Sequence, residues 1–361
     1  MNRRRLLGAV GAGTALTVGS IGTLSRFQDR NYSRDGHYLT GITPTDDVST
    51  LLELEEWANH QHAVVVTYSE VDIPSADIAW TFRDPLSTIW ERGSVPLLMM
   101  QPEFSAESVE TATVLPEIAA GEHDSKISEW ANHCMDWITR GIGKPDRRLY
   151  INLAPEMNGD WNFWSPVSNA ATEADFVEMW HRVYDIFADT GLGETDVQWI
   201  WALDTSTRGV DVSACYPGDA YVDWGGVHGY NWADWGGWRD PVDHYDTILE
   251  QISSITDRPI AFTEFGTSAE TSDAYDPARK DGWIEDAYRY FRERGVKMAC
   301  WFNIDSQADW AVFGGAHGTT TDMEGTQAYS SYKKVLGSSD ALGAHPKHPR
   351  NLTDQEFHGR F

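Results

Sequence analysis

Two glutamates stand at the ends of short apolar segments, and each is followed by a glycine two or three residues later. Glu156 ends the run 149–155 and precedes Met-Asn-Gly, whereas Glu264 ends the run 259–263 and precedes Phe-Gly. Apolar runs of this length predict buried strands, so each carboxylate would lie at the C-terminal end of a strand. Two carboxylates that meet in one site are the minimum equipment for hydrolysis of a glycosidic bond.

Large aromatic rings are more numerous than a core of this size requires. The chain has 17 Trp among 361 residues, and Trp161 and Trp164 closely follow Glu156. Rings of this kind can stack on the apolar faces of sugars, so we expect some of them to contact a ligand. Trp232 and Trp301, at or beyond the ends of other predicted strands, are further candidates. Packing in the core is the alternative for each ring.

Strand-like and helix-like segments alternate from Tyr38 to Leu336. Eight such pairs in strict order favour a single closed (β/α)8 barrel, an α/β fold of the TIM type, over an open doubly wound sheet. The doubly wound alternative also lacks the phosphate-binding glycine pattern after the first strand. In a barrel all strands direct their C-terminal ends to one face. Glu156 and Glu264 should therefore converge although they are remote in sequence.

The neighbours of the two glutamates predict different roles. Apolar rings after Glu156 would disfavour its charged form, so we assign it as general acid/base. Thr263 and the phenol of Tyr230 could stabilise the anion of Glu264, which we assign as nucleophile. Carboxylates about 5 to 5.5 Å apart would leave no room for a water and would give retention of configuration. An ordinary acid in a loop is the alternative for each glutamate.

Three segments resemble glycoside hydrolase family 26, the β-mannanases and their relatives. They are 154–161 (Ala-Pro-Glu-Met-Asn-Gly-Asp-Trp), 227–232 (Val-His-Gly-Tyr-Asn-Trp) and 263–266 (Thr-Glu-Phe-Gly). The resemblance covers roughly residues 38–336 and implies a (β/α)8 glycosidase that acts with retention. It implies the same two catalytic residues, Glu156 as acid/base and Glu264 as nucleophile.

The resemblance also implies roles for the residues around them. Tyr230 would hydrogen-bond the nucleophile, Trp161 would lie beside the acid, and Trp301 would lie under the sugar at the cleavage point. We expect Asn158 and Trp232 to bind substrate as well.

Other positions of the chain depart from the best-known mannanases of this family. Pro155 precedes the acid where those mannanases have His, and Gln101 and Glu103 end the third predicted strand. We therefore expect β-mannan or a related β-glucan as substrate, with mixed-linkage β-glucan and β-1,3-xylan as open alternatives. A catalytically inactive carbohydrate-binding barrel at the cell surface is the rival function.

The chain is strongly acidic, with a formal net charge of -27 and a pI near 4.6. A basic face for phosphate groups is missing from the sequence, which argues against a nucleic-acid partner. The scattered acids are typical of a solvated surface and favour a halophilic host, because salt screens their repulsion. His228 is interpreted as a buried, hydrogen-bonded histidine. We expect no metal, no cofactor, and neither a disulfide nor a zinc site from the three cysteines.

The sequence divides into three parts. Residues 1–30 predict a twin-arginine-type export signal and linker, because Arg3 to Arg5 precede a weakly apolar stretch. Residues 36–338 are the expected catalytic domain, and residues 339–361 predict a loose, polar C-terminal tail. We expect a secreted monomer with a polysaccharide as its partner. Stable membrane insertion is expected only if the N-terminal segment is left uncleaved as an anchor.

Overall fold

Eight parallel strands form a closed barrel in the computed structural model, which describes residues 36–44, 48–104, 111–141, 143–167, 171–234, 237–271 and 274–361. Each strand pairs with the next in sequence, and the eighth pairs with the first. The (β/α)8 prediction is therefore confirmed. The strands are Tyr38–Thr43 (β1), Val64–Glu70 (β2), Val95–Gln101 (β3), Leu149–Leu153 (β4), Val197–Asp204 (β5), Trp224–Asn231 (β6), Ile260–Thr267 (β7) and Met298–Phe302 (β8).

Helices surround the barrel and bury the outer face of its strands. Every residue of β4 and β5 is buried, which is why these strands have continuous apolar runs and not an alternating pattern. The helices are Val48–Ala58 (α1), Ser75–Thr81 (α2), Ser87–Arg92 (α3), Val114–Ala120 (α4), Asp124–Ile138 (α5), Glu173–Asp189 (α6), Pro241–Ile255 (α7), Pro277–Arg294 (α8) and Ser330–Leu336 (α9), with a π-helical turn, Phe82–Leu86, between α2 and α3.

Local sequence signals begin the longest helices. The hydroxyl of Thr172 accepts a hydrogen bond from the backbone N–H of Asp175, and the carboxylate of Asp175 accepts one from the backbone N–H of Thr172, so α6 begins with a complete capping box. Proline at the first position begins α7 and α8, where its missing N–H costs nothing. A small hairpin, Thr320–Thr321 (β9) with Gln327–Ala328 (β10), lies between β8 and α9.

The prediction of a loose C-terminal tail is wrong. Residues Ala341–Leu342 (β11) pair in parallel with β1, and a short helix, Asp354–Phe357 (α10), follows. The side chain of Phe357 is fully buried. The buried guanidinium of Arg148 donates to the carbonyl of Leu352 at 2.7 Å. The polar composition does not reveal this packing because the partners lie about two hundred to three hundred residues earlier in the chain.

The predicted export segment, residues 1–30, lies outside the described residues. Within the part of the chain that the structure describes, no helix combines the length and the apolar character needed to cross a membrane.

Candidate active site

Glu156 lies in a tight loop directly after β4. Its backbone and that of Ala154 have positive φ angles of 56° and 48°, a conformation that residues with a Cβ rarely adopt. The loop is held because the N–H of Ala154 donates to Met100 and the N–H of Glu156 donates to Ala202, each at 3.0 Å. These bonds join the loop to β3 and β5. Backbone strain at a site of this kind is typical of residues placed for function.

Glu264 is placed by an irregularity between β6 and β7. Val227 pairs with Phe262, but the next residue of β6, His228, pairs with Glu264, so that Thr263 is skipped. Such a bulge turns side chains that a regular ladder would direct elsewhere. It brings Glu264 beside His228 at the C-terminal mouth of the barrel, where Glu156 also lies.

Two phenols donate hydrogen bonds to the carboxylate of Glu264. The hydroxyl of Tyr230 reaches Oε2 at 2.6 Å, and the hydroxyl of Tyr68, from β2, reaches Oε1. Glu264 itself is only 6% exposed. A buried carboxylate that accepts two O–H donors is held in a fixed orientation, and both donors favour its anion.

His228 lies between the two glutamates. Its Nδ1 is 2.7 Å from Oε1 of Glu156 and 3.6 Å from Oε2 of Glu264. The other oxygen of Glu156 accepts the indole N–H of Trp161 at 2.8 Å. One ligand atom from each of the three titratable groups lies within 4.8 Å of the others. The barrel thus brings the predicted pair of carboxylates together in one site.

The three groups change one another's pKa. Burial raises the pKa of Glu156, but His228 and the Trp161 N–H outweigh it and lower that pKa below its usual value. Burial raises the pKa of Glu264, which the charge of His228 and the two phenols offset only in part. Burial lowers the pKa of His228, but the charges of Glu264 and Glu156 outweigh burial and raise it. The expectation that apolar rings keep Glu156 neutral is therefore wrong, because its nearest groups are donors that favour the anion.

A cavity of about 610 Å³ opens above the glutamates. Aromatic and polar side chains share its surface, an arrangement suited to a sugar that has apolar faces and polar edges. Its walls include, besides the two glutamates, Tyr68, Asp204, Tyr230, Trp232, Asp234, Phe302, Ile304, Ser306, Gln307 and Trp310.

The structure places most of the predicted site residues at this mouth. Tyr230 and Trp232 contribute to the cavity wall, and Trp161 contacts Glu156. The indole N–H of Trp232 donates to Glu270 at 2.5 Å, which sets the orientation of the ring.

Two predicted substrate contacts are wrong. Asn158 is fully buried, and its amide accepts from the backbone N–H of Asp204 and donates to that residue's carbonyl, each at 2.8 Å. It therefore supports the loop and does not face a ligand. Trp301 is also fully buried, with its N–H on the carbonyl of Trp310. The cavity is lined instead by the next residue, Phe302, and by Trp310.

Several site residues escaped the sequence reasoning. Tyr68 ends a β-branched strand, and a polar aromatic residue at that position was the available signal. His228 is predicted to be buried and hydrogen-bonded, but no spacing in the sequence places it, or Asp204, beside Glu156. Trp310 lies in the long segment after β8, where no periodicity predicts the direction of a side chain.

Glu156, His228 and Glu264 also form the one group of three among the described residues whose spacing a metal ion could use. Both carboxylates already accept hydrogen bonds from indole and phenol groups. Such donors occupy the oxygen lone pairs that a metal would need. The expectation of no metal and no cofactor stays a prediction.

The sequence matches no protein-family model. It is 25% identical over 277 residues to endoglucanase H of Acetivibrio thermocellus, covering 74% of this chain and 27% of that protein. It is 25% identical over 115 residues to a β-1,3-xylanase of an Alcaligenes species, covering 31% and 21%. The chain thus spans about a quarter of the length of the curated relatives it matches.

Solved structures share the fold over most of the chain. One is the catalytic domain of the GH26 endo-β-1,4-mannanase of Bacillus sp. JAMB-750, with a TM-score of 0.61 and 16% identity. The match covers 85% of this chain and 87% of that one. The resemblance to glycoside hydrolase family 26 is thereby confirmed in fold: the chain has the (β/α)8 architecture of a solved GH26 mannanase.

Proposed function

We propose that the chain is a retaining endo-β-glycosidase that hydrolyses a β-linked polysaccharide. The observation that carries this proposal is the meeting of Glu156 and Glu264 at one mouth of the barrel. An oxygen of each lies within 4.8 Å of the other, beneath a cavity with aromatic walls. Inverting enzymes separate their carboxylates by about 6.5 to 9.5 Å to admit a water, so the short separation supports retention.

The proposed reaction has two steps. In the first, Glu156 gives a proton to the glycosidic oxygen while Glu264 attacks the anomeric carbon, and the bond to the leaving sugar breaks. In the second, Glu156 takes a proton from a water that attacks the same carbon and releases Glu264. The two phenols hold Glu264 in position for both steps.

The proposed substrate is β-mannan or a related β-glucan. The mannanase fold and the similarity to endoglucanase H support this class, and the match to a β-1,3-xylanase keeps β-1,3-xylan as the alternative. The test is release of reducing sugar from mannan, glucomannan, lichenan and β-1,3-xylan, at low and high salt. Binding to one of them without release from any would favour the rival function, a carbohydrate-binding barrel without turnover.

The role of Glu264 has a direct test. Glu264→Ala should abolish turnover, and azide should restore cleavage of an activated aryl glycoside with a product of inverted configuration. The matched control is Glu117→Ala, which removes a carboxylate of the outer helix α4 that is paired with His123. Near-normal activity of Glu264→Ala would reject Glu264 as nucleophile.

We also propose that the protein is exported and works as a monomer in a saline medium. The run Arg3 to Arg5 supports export, and the net charge of -27 supports a saline medium. Processing of the N-terminal segment in the host, measured by mass spectrometry of the mature protein, tests export. A protein found at full length inside the cell would contradict it.

A further inference from the structure

This inference rests on the proposed mechanism, in which Glu156 must supply a proton to the leaving group. The contacts described above favour the anion of Glu156, so the source of that proton needs an explanation. Glu264 must be an anion to attack, so the proton for the leaving group has to lie on Glu156 or beside it. Both oxygens of Glu156 are contacted by nitrogen atoms, Nδ1 of His228 at 2.7 Å and the indole N–H of Trp161 at 2.8 Å. The indole can only donate, so the acid's proton is best placed towards His228.

The contact between Glu156 and His228 restricts where protons can be. At 2.7 Å, one hydrogen fits between Oε1 and Nδ1, and two would clash. If that hydrogen serves as the acid of the reaction, the imidazole is either protonated on both nitrogens or neutral with its hydrogen on Nε2. In both cases Nε2 is a donor and needs an acceptor.

Asn152 is the group that can accept from Nε2. It lies on β4, is fully buried, and its amide is 3.2 Å from Nε2 of His228 and 3.1 Å from the hydroxyl of Thr263. With the amide nitrogen towards both, the buried oxygen Oδ1 has no hydrogen-bond partner. If the amide is turned over, Oδ1 can accept from Nε2 of His228 and from the hydroxyl of Thr263, and the amide nitrogen is then the atom without a partner. The proton on Nε2 therefore decides between two otherwise balanced orientations.

Charges around His228 favour a proton on this ring. Glu156 approaches it from the loop after β4, Asp204 from the end of β5, and Glu264 from β7. Tyr230, on the same strand as His228, is directed to Glu264 through its hydroxyl. Three carboxylates thus act on one buried imidazole that is 1% exposed.

We propose that the proton delivered by Glu156 is shared between its Oε1 and Nδ1 of His228, and that Asn152 fixes this state by presenting Oδ1 to Nε2–H. His228 and Asn152 are positioning residues in this scheme, because the bond to the sugar is made and broken by the glutamates alone.

The proton count of the scheme is balanced. In the first step the Oε1/Nδ1 pair gives up its one proton, which Glu156 passes to the glycosidic oxygen as the bond to the anomeric carbon breaks. Glu156 is then an anion, and His228 is left neutral with its remaining hydrogen on Nε2, directed to the amide of Asn152. In the second step the proton of the attacking water returns to the pair. No other reactant is consumed.

The protonation of His228 can be observed without any turnover. The wild-type protein is labelled with ¹⁵N in its histidines, and the signals of His228 are assigned among the 12 histidines by their loss in His228→Gln. Between about pH 5 and 8, where an imidazole can titrate, Nε2 should carry a hydrogen throughout. A neutral ring with hydrogen on Nδ1 and none on Nε2 over this range would overturn the proposal.

Kinetics with Asn152 variants test the positioning role. Asn152→Asp, a stronger acceptor, should move the basic limb of the pH profile of kcat/KM up by about one unit, and Asn152→Leu should move it down by a similar amount. Asn152→Leu should also slow a substrate with a poor leaving group at least about tenfold, but an activated aryl glycoside only about twofold, because the latter needs no acid.

Asn231→Asp is the matched control, since Asn231 is a buried asparagine of β6 that contacts Thr267 and not His228. Its basic limb should stay at the wild-type pH. Two results together would overturn the proposal and leave Asn152 with a structural role only. They are an equal loss of rate on substrates with poor and with activated leaving groups, and a basic limb of the kcat/KM profile that stays in place in both Asn152 variants. If the wild type cleaves no substrate, the proposed function fails, whereas the NMR experiment still decides the position of the proton.

Discussion

The phenols of Tyr68 and Tyr230 should set the acid limit of activity. Both donate to Glu264, and Glu264 must be ionised to act as nucleophile. A hydrogen bond to a charged group contributes about 1.5 to 3 kcal/mol, and 1.36 kcal/mol corresponds to one pKa unit. Removal of one phenol should therefore raise the pKa of Glu264 by about one to two units.

The pKa of Glu264 should rise, and not fall, when a phenol is removed, because the phenol stabilises the charged carboxylate. Burial already raises the pKa of Glu264, and the phenols oppose that effect by stabilising the anion. Without one of them the carboxylate takes up a proton at higher pH, so the acid limb of kcat/KM moves to higher pH. On the acid side of the optimum the rate should fall about tenfold to a hundredfold, with a much smaller loss on the plateau.

Removal of the two phenols should shift the acid limb of kcat/KM by different amounts. Tyr68 is 39% exposed towards the cavity, so water can replace its hydroxyl in part. Tyr230 is less exposed and packs edge-on against Phe302, which limits access of water. Tyr68→Phe should therefore shift the limb by about one unit and Tyr230→Phe by up to about two.

The assay is the pH dependence of kcat/KM on an aryl glycoside, measured for the wild type and both variants. Tyr290→Phe is the control, because its buried phenol donates to Asp246 at 2.7 Å, outside the cavity wall. Its acid limb should coincide with that of the wild type. An unmoved limb in Tyr68→Phe and Tyr230→Phe would refute the view that these phenols stabilise the nucleophile's anion.

Three further predictions concern the loop, the C-terminal segment and the thiols. In Gly159→Ala the new Cβ would lie 2.5 Å from the ring of Trp161, so the ring should leave Glu156 and kcat should fall about tenfold with little change in the unfolding midpoint. Arg148→Met should lower the free energy of unfolding by about 2 to 3 kcal/mol in a denaturant titration, whereas Arg289→Met, which breaks an exposed pair, should change it by less than about 1 kcal/mol. A thiol reagent should modify none of the three cysteines in the folded protein and all of them after denaturation, because burial raises the pKa of each thiol. Rapid modification of the native protein would contradict their burial.

Local patterns in the sequence were sufficient for the barrel and for the pair of glutamates. Strands buried on both faces have continuous apolar runs, and a helix follows each, so the alternation indicates the fold without knowledge of any contact. Glu156 and Glu264 interrupt such runs at their C-terminal ends. Because every parallel strand of a barrel ends at the same face, their convergence follows from topology alone.

Other features depend on register and on contacts between distant residues, which local patterns do not contain. Trp301 and Phe302 are neighbours on β8, and the register decides that Phe302 faces the cavity while Trp301 packs against Trp283 and Tyr332 outside the barrel. The polar C-terminal segment is held by partners that precede it by about two hundred to three hundred residues.

The sequence by itself determined which residue types stand at the strand ends, because hydrophobic periodicity and strand order are local properties of the chain. Only the tertiary structure decided that His228 lies between the two glutamates, since the skipped residue Thr263 shifts one strand against another. Taken together, the charge states of these groups depend on residues of four different strands, β2, β5, β6 and β7. A pKa is a property of that three-dimensional environment, which is why the spacing of residues predicted the pair of acids but not the partner of their proton.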